Sequence, residues 1–389
     1  MSVVDGHDRP GSQAALRSSN RLRVLQLLTE HGEITQAGLA RGTGLAAATV
    51  SNIVRELLAG GLVQVSEVGR RKVVRLTRAT GLLLGVDYGH RHLTVVVADR
   101  AHEILAERRV ELEPNLPATE GVYQAEKLFG ELLDEIGEQA AAIVGAGMGL
   151  PAPIDLRTGK VGAPSIMPGW VGVDAVRLAS ERLGMPVVVD NDANLGAVAE
   201  LYWGAARGLS DIAYVKLSEG VGAGLVLGGQ VVRGRDGTAG EIGHITTDEF
   251  GQVCRCGNRG CVETVVAARR VVELLEPMLG QQLTIADVVR SARDGNNSCV
   301  RVLADTGRQA GIAIANLCNV FNPELILIGG ELAVAGEFLL APMREMVRRC
   351  GIPSATADLP IILAELGPRA PVMGAVALAL RASSPAELA

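Results

Sequence analysis

From residue 19 onward, apolar residues recur every three to four positions. Leu22, Val24, Leu25 and Leu28 form one face of a helix, with Ser19 or Asn20 placed to cap it and Gly32 to stop it. Residues 1–17 are polar and contain Gly and Pro, the composition of a flexible arm. Thr35 caps a second helix over 36–41, and Gly42-Thr43-Gly44 supplies a turn. A third helix over 46–59 buries Val50, Ile53, Val54, Leu57 and Leu58 and ends at Gly60-Gly61. The period then changes to that of strands, at 62–65 and 73–76, on either side of Gly69-Arg70-Arg71-Lys72. This order predicts a winged helix-turn-helix. Ala47, Ala48, Thr49, Ser51, Asn52 and Arg55 fall on the outward face of the third helix. They are small or hydrogen-bonding, which suits entry into a major groove. With Arg70, Arg71 and Lys72 at the wing tip they are the expected DNA contacts.

Residues 78–81 read as a linker, dividing the chain into 1–80 and 81–389. Beyond it, strands and helices alternate. Stretches 82–87, 92–99 and 104–112 predict a meander, followed by a helix over 119–139, a strand over 142–148, a helix over 173–183 and an apolar strand over 186–189. That strand runs into Asp190-Asn191-Asp192, where Asn191 or Asp192 can cap a helix reaching Trp203. The pattern restarts with strands at 212–217 and 224–227, separated by Ser218-Glu219-Gly220-Val221-Gly222. One long helical stretch over 292–320, a buried strand at 325–328 before Gly329-Gly330, a helix over 336–349, a strand over 361–366 and a helix over 372–381 follow. Two halves that each open with strand, glycine-containing turn and strand predict a duplicated α/β architecture.

Charge sharpens this division. The first 80 residues carry 11 Lys and Arg against 6 Asp and Glu, and the other 309 carry 26 against 37. A basic head on an acidic body implies a polyanionic partner for the head alone. Aromatic residues are 3% of the chain, so its cores rest on Leu, Val, Ile and Ala. No run of 18 apolar residues predicts a membrane span, and the N-terminal stretch lacks the apolar segment of a signal peptide, so a cytoplasmic protein is expected.

The densest chemistry lies in Gly240-Glu241-Ile242-Gly243-His244 and the following Cys254-Arg255-Cys256-Gly257-Asn258-Arg259-Gly260-Cys261-Val262-Glu263. One imidazole and three thiols within eighteen residues are the ligands of a closed tetrahedral zinc site, and Gly257 and Gly260 allow the turn that would bring Cys254, Cys256 and Cys261 to one ion with His244. A disulfide is disfavoured in a reducing compartment. Cys299, Cys318 and Cys350 fall in apolar helical patterns and are expected in the core.

These two segments resemble the signature of the ROK family (repressors, open reading frames and sugar kinases), and the resemblance runs from about residue 18 to about 380. It implies an actin-like, ribonuclease-H-type fold of two lobes around a cleft. The first lobe would hold about 82–192 plus the C-terminal helix, and the second about 193–370. The stretch 43–63 resembles the winged-helix heads of the family's repressors, which its kinases lack. Asn191-Asp192 matches the family's motif in which the asparagine binds a sugar hydroxyl and the aspartate is the kinase base. Glu241, His244 and Glu263 match its other sugar contacts, with one nitrogen of His244 on zinc. Asp192 is equally well read as a helix cap.

The nucleotide side departs from the kinases. Where they have Asp-x-Gly-Gly-Thr-Lys, this chain has Asp87-Tyr88-Gly89-His90-Arg91-His92, and where they have Gly-Thr-Gly it has Ser218-Glu219-Gly220. Bulky side chains and a carboxylate replace a phosphate cradle. Gly329-Gly330 keeps the adenosine-side turn of the family. The resemblance therefore implies a sugar-responsive repressor of carbohydrate genes. It would be a homodimer or dimer of dimers, binding operator DNA and a sugar or sugar phosphate, with zinc but without catalysis. Asp192 would be a vestigial base. The alternative is an ATP-dependent sugar kinase with an added DNA-binding head.

Overall fold

The computed structural model describes residues 13–69, 71–162, 167–280 and 282–383. Wing-tip Arg70 and most of the expected N-terminal arm lie outside them. The head begins with α1 (Gln13–His31), which reaches back into the stretch expected to be an arm because Ala14, Ala15 and Leu16 are good helix formers. It continues with β1 (Glu33–Thr35), α2 (Gln36–Thr43), α3 (Ala47–Ala59), β2 (Val63–Val68) and β3 (Arg71–Leu76). The Thr35 hydroxyl accepts from Gly38 N at 3.1 Å and so starts α2, and Gly44 ends it in the left-handed region. Val24, Leu25 and Leu28 of α1 meet Leu39, Val50, Ile53, Val54 and Leu57 in one core under the hairpin. Leu58, expected in that core, is instead 48% exposed. The helix turns it one position past the buried stripe. The three strands form a small antiparallel sheet in the order β1-β3-β2.

The body opens with the meander β4 (Leu82–Tyr88), β5 (His92–Asp99) and β6 (Ile104–Glu111), then α4 (Ala118–Ile136), β7 (Ile143–Leu150), the short hairpin β8 (Ile154–Asp155) and β9 (Lys160–Val161), α5 (Ala175–Leu183) and β10 (Val187–Asn191). Then α6 (Asp192–Trp203) leads to β11 (Ile212–Leu217), β12 (Val221–Leu227) and β13 (Gln230–Val231). After the cysteine-bearing loop come α7 (Glu263–Val266), α8 (Ala268–Leu279), α9 (Ile285–Arg293), α10 (Asn297–Phe321), β14 (Leu325–Gly329), α11 (Glu337–Cys350), α12 (Pro353–Thr356), β15 (Ile361–Leu363) and α13 (Ala370–Ala382).

Two five-stranded sheets result, β10-β7-β4-β5-β6 and β13-β12-β11-β14-β15. Each is an antiparallel meander extended by two parallel strands on the side of its first strand. The duplication expected from the pattern is thus literal: the same topology occurs twice, the actin-like arrangement. Each sheet has its own core.

Three expectations are corrected. The stretch 292–320 is two helices, because Asn296 leaves helical geometry and its side chain caps α10 through Ser298 N and Cys299 N at 3.0 and 3.2 Å. The strand expected over 361–366 stops at Leu363. Cys350, at the end of α11, is exposed, whereas Cys299 and Cys318 are buried.

Helix α6 lies between the two sheets and is buried along its length from Asp192 to Glu200. Two glycines let backbone touch it. A Cβ at Gly224 of β12 would fall 2.2 Å from Ala193 O, and one at Gly374 of α13 would fall 2.0 Å from Leu195 O.

Candidate ligand cleft, metal cluster and DNA-facing helix

The carboxyl ends of β10, β4 and β11 converge at the N-terminus of α6. Asn191 is the cap: its Oδ1 accepts from Ala193 N at 2.9 Å and from Asn194 N at 3.3 Å, and its Nδ2 donates to Ala152 O at 3.3 Å. Asp192, freed of capping, turns inward and pairs with the ammonium of Lys216 on β11. Lys216 was not anticipated. Its signal is a lone charge in the apolar run of β11, since a lysine is almost never buried without a partner. Burial alone would lower its pKa, but Asp192 and then Asp87 outweigh that, and the net displacement is upward.

Asp87, at the end of β4, is 1% exposed. One of its oxygens accepts from His92 Nε2 at 2.8 Å, and the other is buried without a hydrogen-bond partner. Burial pushes its carboxyl up, yet the bond and charge of His92 and the nearby Lys216 prevail and hold it below the usual carboxylate range. The His92 ring lies against Gly89, where a Cβ would be 2.2 Å from His92 Cε1. On the rim, Arg91 Nε reaches Glu219 Oε1 at 3.3 Å. Arg91, beyond the end of β4, and Glu219, beyond the end of β11, thus pair across the rim. Gly329 and Gly330 have a packing cause as well: Cβ atoms there would fall 2.1 Å from Tyr214 Oη and 2.5 Å from Leu217 O.

Below the rim, Glu263 at the start of α7 is buried. Its Oε1 accepts from Arg255 Nε at 2.8 Å and its Oε2 from Val221 N at 3.1 Å, so both oxygens are engaged. Arg255 continues to Glu219 O at 3.2 Å. Glu241 faces His244 Nε2 at 3.7 Å. Burial, then the charges of Asp192 and Glu263, push its carboxyl up to about 7. Asp190, one residue before the cap, takes Arg233 Nε at 2.8 Å and Asn194 Nδ2 at 2.9 Å.

The other nitrogen of His244, Nδ1, lies 3.6 Å from Cys254 Sγ, and Cys256 Sγ lies 3.5 Å from Cys261 Sγ. Ligand atoms of His244, Cys254, Cys256 and Cys261 all fall within 4.8 Å of one another, a set that could hold one metal ion. Gly257 and Gly260 sit at φ +88° and +61°, and at Gly260 a Cβ would collide with Asp248 O at 1.5 Å. Residues with side chains cannot make this turn.

On α3, Ala47, Ala48, Asn52 and Arg55 are exposed, and Thr49 and Ser51 half-buried. Arg55 Nη1 donates to Asn52 Oδ1 at 3.1 Å, so these two present one joined polar surface. Arg71 and Lys72 are exposed on the wing, and Lys72 is 3.9 Å from Glu67.

The head meets the body at the β5–β6 turn and the far end of α6. Trp203 Nε1 donates to His102 Nδ1 at 2.7 Å, and His102 Nε2 bonds Thr29 O at 2.6 Å. Because an indole N–H can only donate, His102 is neutral with its proton on Nε2. Burial first, opposed by the bond to Thr29, drives its pKa to about 4. Arg75 of the wing reaches Asp99 at 3.1 Å and Glu103 at 2.6 Å.

The fold and this site define a two-lobed, actin-like body with a winged-helix head. The sequence pattern of the ROK family matches residues 83–382, and the chain belongs to that family. A domain of unknown function (DUF7343) matches residues 17–77. The chain is 30% identical over 396 residues to the DNA-binding transcriptional dual regulator NagC of Escherichia coli, covering 96% of each. It is 28% identical over 394 residues to the xylose repressor of Caldicellulosiruptor bescii, covering 95% of this chain and 97% of that one. Among solved structures, a ROK family transcriptional regulator described as a homolog of the E. coli MLC protein superposes with a TM-score of 0.76 at 26% identity, covering 96% of this chain and 98% of that one. A ROK family glucokinase from Streptomyces griseus, in complex with glucose and AMPPNP, superposes with a TM-score of 0.68 at 28% identity, covering 77% of this chain and all of its own. No helix among the described residues is long and apolar enough to cross a membrane.

Proposed function

We propose that this protein is a sugar-responsive transcriptional repressor of carbohydrate uptake or catabolism genes. Residues 1–80 bind operator DNA within a homodimer, and residues 81–389 bind a sugar or sugar phosphate near Asn191, Asp192, Glu241, His244 and Glu263. The observation that carries this reading is the course of α6: its first residue lies in the cleft and its last holds the head through His102. A ligand competing for Asp192 acts on the helix against which the DNA-binding domain is seated. The names of the repressor relatives agree with this reading.

His244, Cys254, Cys256 and Cys261 fit zinc, since three thiolates and an imidazole at this spacing match its tetrahedral preference. A bound zinc would stiffen the loop and fix the ring of His244, leaving Nε2 toward Glu241. Against catalysis stand the ion pair of Asp192 with Lys216, which occupies the would-be base, and the pair Arg91–Glu219, which closes the two loops that would cradle phosphate.

The test uses fluorescence anisotropy with the DNA upstream of the protein's own gene, comparing the full chain with a chain lacking residues 1–80. Sugars for the assay come from a thermal-shift panel of pentoses, hexoses, amino sugars and their phosphates. Affinity for that DNA should fall steeply with salt, vanish with the head, and change when a stabilising sugar is added. Retained binding without the head, or ADP release from ATP in the presence of that sugar, would overturn the reading.

A further inference from the structure

Three carboxylate-bearing stretches meet on the first half of β12. A Cβ at Gly224 would fall 2.2 Å from Ala193 O, the residue after Asp192. Ala223 N donates to Gly240 O at 2.7 Å, and a Cβ at Gly243 would fall 2.3 Å from Val221 O, so the stretch that carries Glu241 lies along the same strand. Val221 N donates to Glu263 Oε2 at 3.1 Å. The cations around them are committed. Lys216 pairs with Asp192, Arg233 with Asp190 at 2.7 Å, Arg255 with Glu263 at 2.6 Å and Arg91 with Glu219 at 3.3 Å. Asp190, Asp192 and Glu263 are buried, so a cation drawn away from any of them would strand a buried charge. Arg109 stands two strands along from β4 and is bonded to Thr94 at 3.1 Å. Glu241 differs from the other carboxylates. Among the described residues it has no Lys or Arg partner, and it faces His244 Nε2 at 3.7 Å.

We infer that the ligand is an unphosphorylated sugar: the cleft offers hydroxyl groups an uncommitted carboxylate, Glu241, and offers a phosphate no uncommitted cation among these residues. The inference rests on the sugar reading of this site and narrows it. A hydroxyl donates a hydrogen bond to Glu241 without adding charge. A phosphate brings roughly −1.5 to −2 charges and acceptor oxygens, so beside Asp192, Glu241 and Glu263 it adds repulsion and supplies no donor. To be held it must take Arg255 or Arg91 from a partner, and Arg255 can leave only by stranding Glu263. The N-terminus of α6, the anion-binding device nearest at hand, is already capped by Asn191 at Ala193 N and Asn194 N. A zinc ion in the neighbouring cluster does not reverse the sign, because three thiolates outweigh its charge.

Isothermal titration calorimetry on the full, zinc-loaded chain at about pH 8, where a phosphate monoester is a dianion, tests this. The probes are xylose, glucose and N-acetylglucosamine, each beside its terminal phosphate ester. In every pair of which either member binds, the parent sugar should bind at least about tenfold more tightly than its phosphate. Glu241→Gln removes the unpaired charge and keeps an acceptor, and Glu219→Gln on the rim frees Arg91. Each should narrow that ratio at least about threefold. Narrowing in either variant supports the assignment. A ratio unchanged in both means that shape, not charge, excludes the phosphate, and overturns it. A phosphate that binds as tightly as its parent sugar overturns the inference and leaves the sugar reading standing. If no probe binds in either form, the sugar reading itself fails and the inference falls with it.

Discussion

The two ends of α6 are held by opposite kinds of chemistry. At Asp192 the partners are charges: Lys216 on the aspartate and, two residues upstream at the end of β10, Arg233 on Asp190. At Trp203 they are neutral: an indole N–H on an imidazole, that imidazole on a backbone carbonyl, and the rings of His102 and Trp203 in edge contact at 5.0 Å. A polar small molecule can compete for the first set, because a hydroxyl offers a carboxylate what an ammonium offers it. The second set carries no charge to exchange, and its directional bonds fix orientation. The cleft end of α6 is therefore held by charge and the head end by neutral, directional bonds.

Variants at the two ends should separate these roles, and the largest effect belongs to the charged one. Lys216→Ala leaves Asp192 buried and unpaired and should lower stability by about 3–5 kcal/mol, read as a fall in thermal midpoint. Adding Asp192→Asn should recover much of it. If the single change costs as little as a surface pair, the cleft end is not a buried charge site.

The second effect is at the head and depends on pH. His102 has a folded pKa near 4 against an ordinary value of 6.5, so the neutral form favours the docked head. That stabilisation is complete above pH 6.5 and is lost as pH falls toward 4, by about 3 kcal/mol in all. Arg75 crosses the same joint to Asp99 and Glu103, and its hydrogen bond holds the Glu103 carboxyl below the usual range. The measurement is therefore the difference between wild type and His102→Gln in amide exchange at residues 27–32. A difference that does not change between pH 7 and pH 5 removes His102 from the joint.

Smaller still, Asn191→Ala should cost about 1 kcal/mol as a lost cap, with no change in exchange at the head. Smallest is Arg91→Ala. Arg91 is 58% exposed, so losing its pair with Glu219 should cost less than about 1 kcal/mol and nothing measurable in high salt.

The fold was largely legible because its signals are local. Thr35, Asn191 and Gly44 mark ends of helices by their own chemistry, and the repeated strand–turn–strand opening marked the duplication. The cysteine loop was legible for the same reason, its four donors lying within eighteen residues. What stayed hidden depends on distant pairing. Lys216 of β11 meets Asp192, 24 positions earlier, only once α6 is laid against that strand, and Val221 N meets Glu263 across 42 positions. Glu263, expected to contact a ligand, has Arg255 on one oxygen and Val221 N on the other, and neither partner is apparent from spacing. The joint at His102 joins residues 73 and 101 positions apart in the chain. The break at Asn296 is the exception: a local cap hidden in an apolar run that otherwise continued.

Gly224 and Gly374 have a mechanical consequence. Where most helices rest on a layer of side chains that can rearrange, α6 touches backbone on both flanks, with no methyl group between. At those two points the helix has no side-chain cushion in its first turn to absorb a push by repacking. It is a rod in a close-fitting slot, roughly 17 Å long at 1.5 Å per residue, and what shifts its first residue shifts its last. A single added methyl at either glycine would overlap the first turn of α6, at Ala193 O or Leu195 O, and push on the end that bears Asp192.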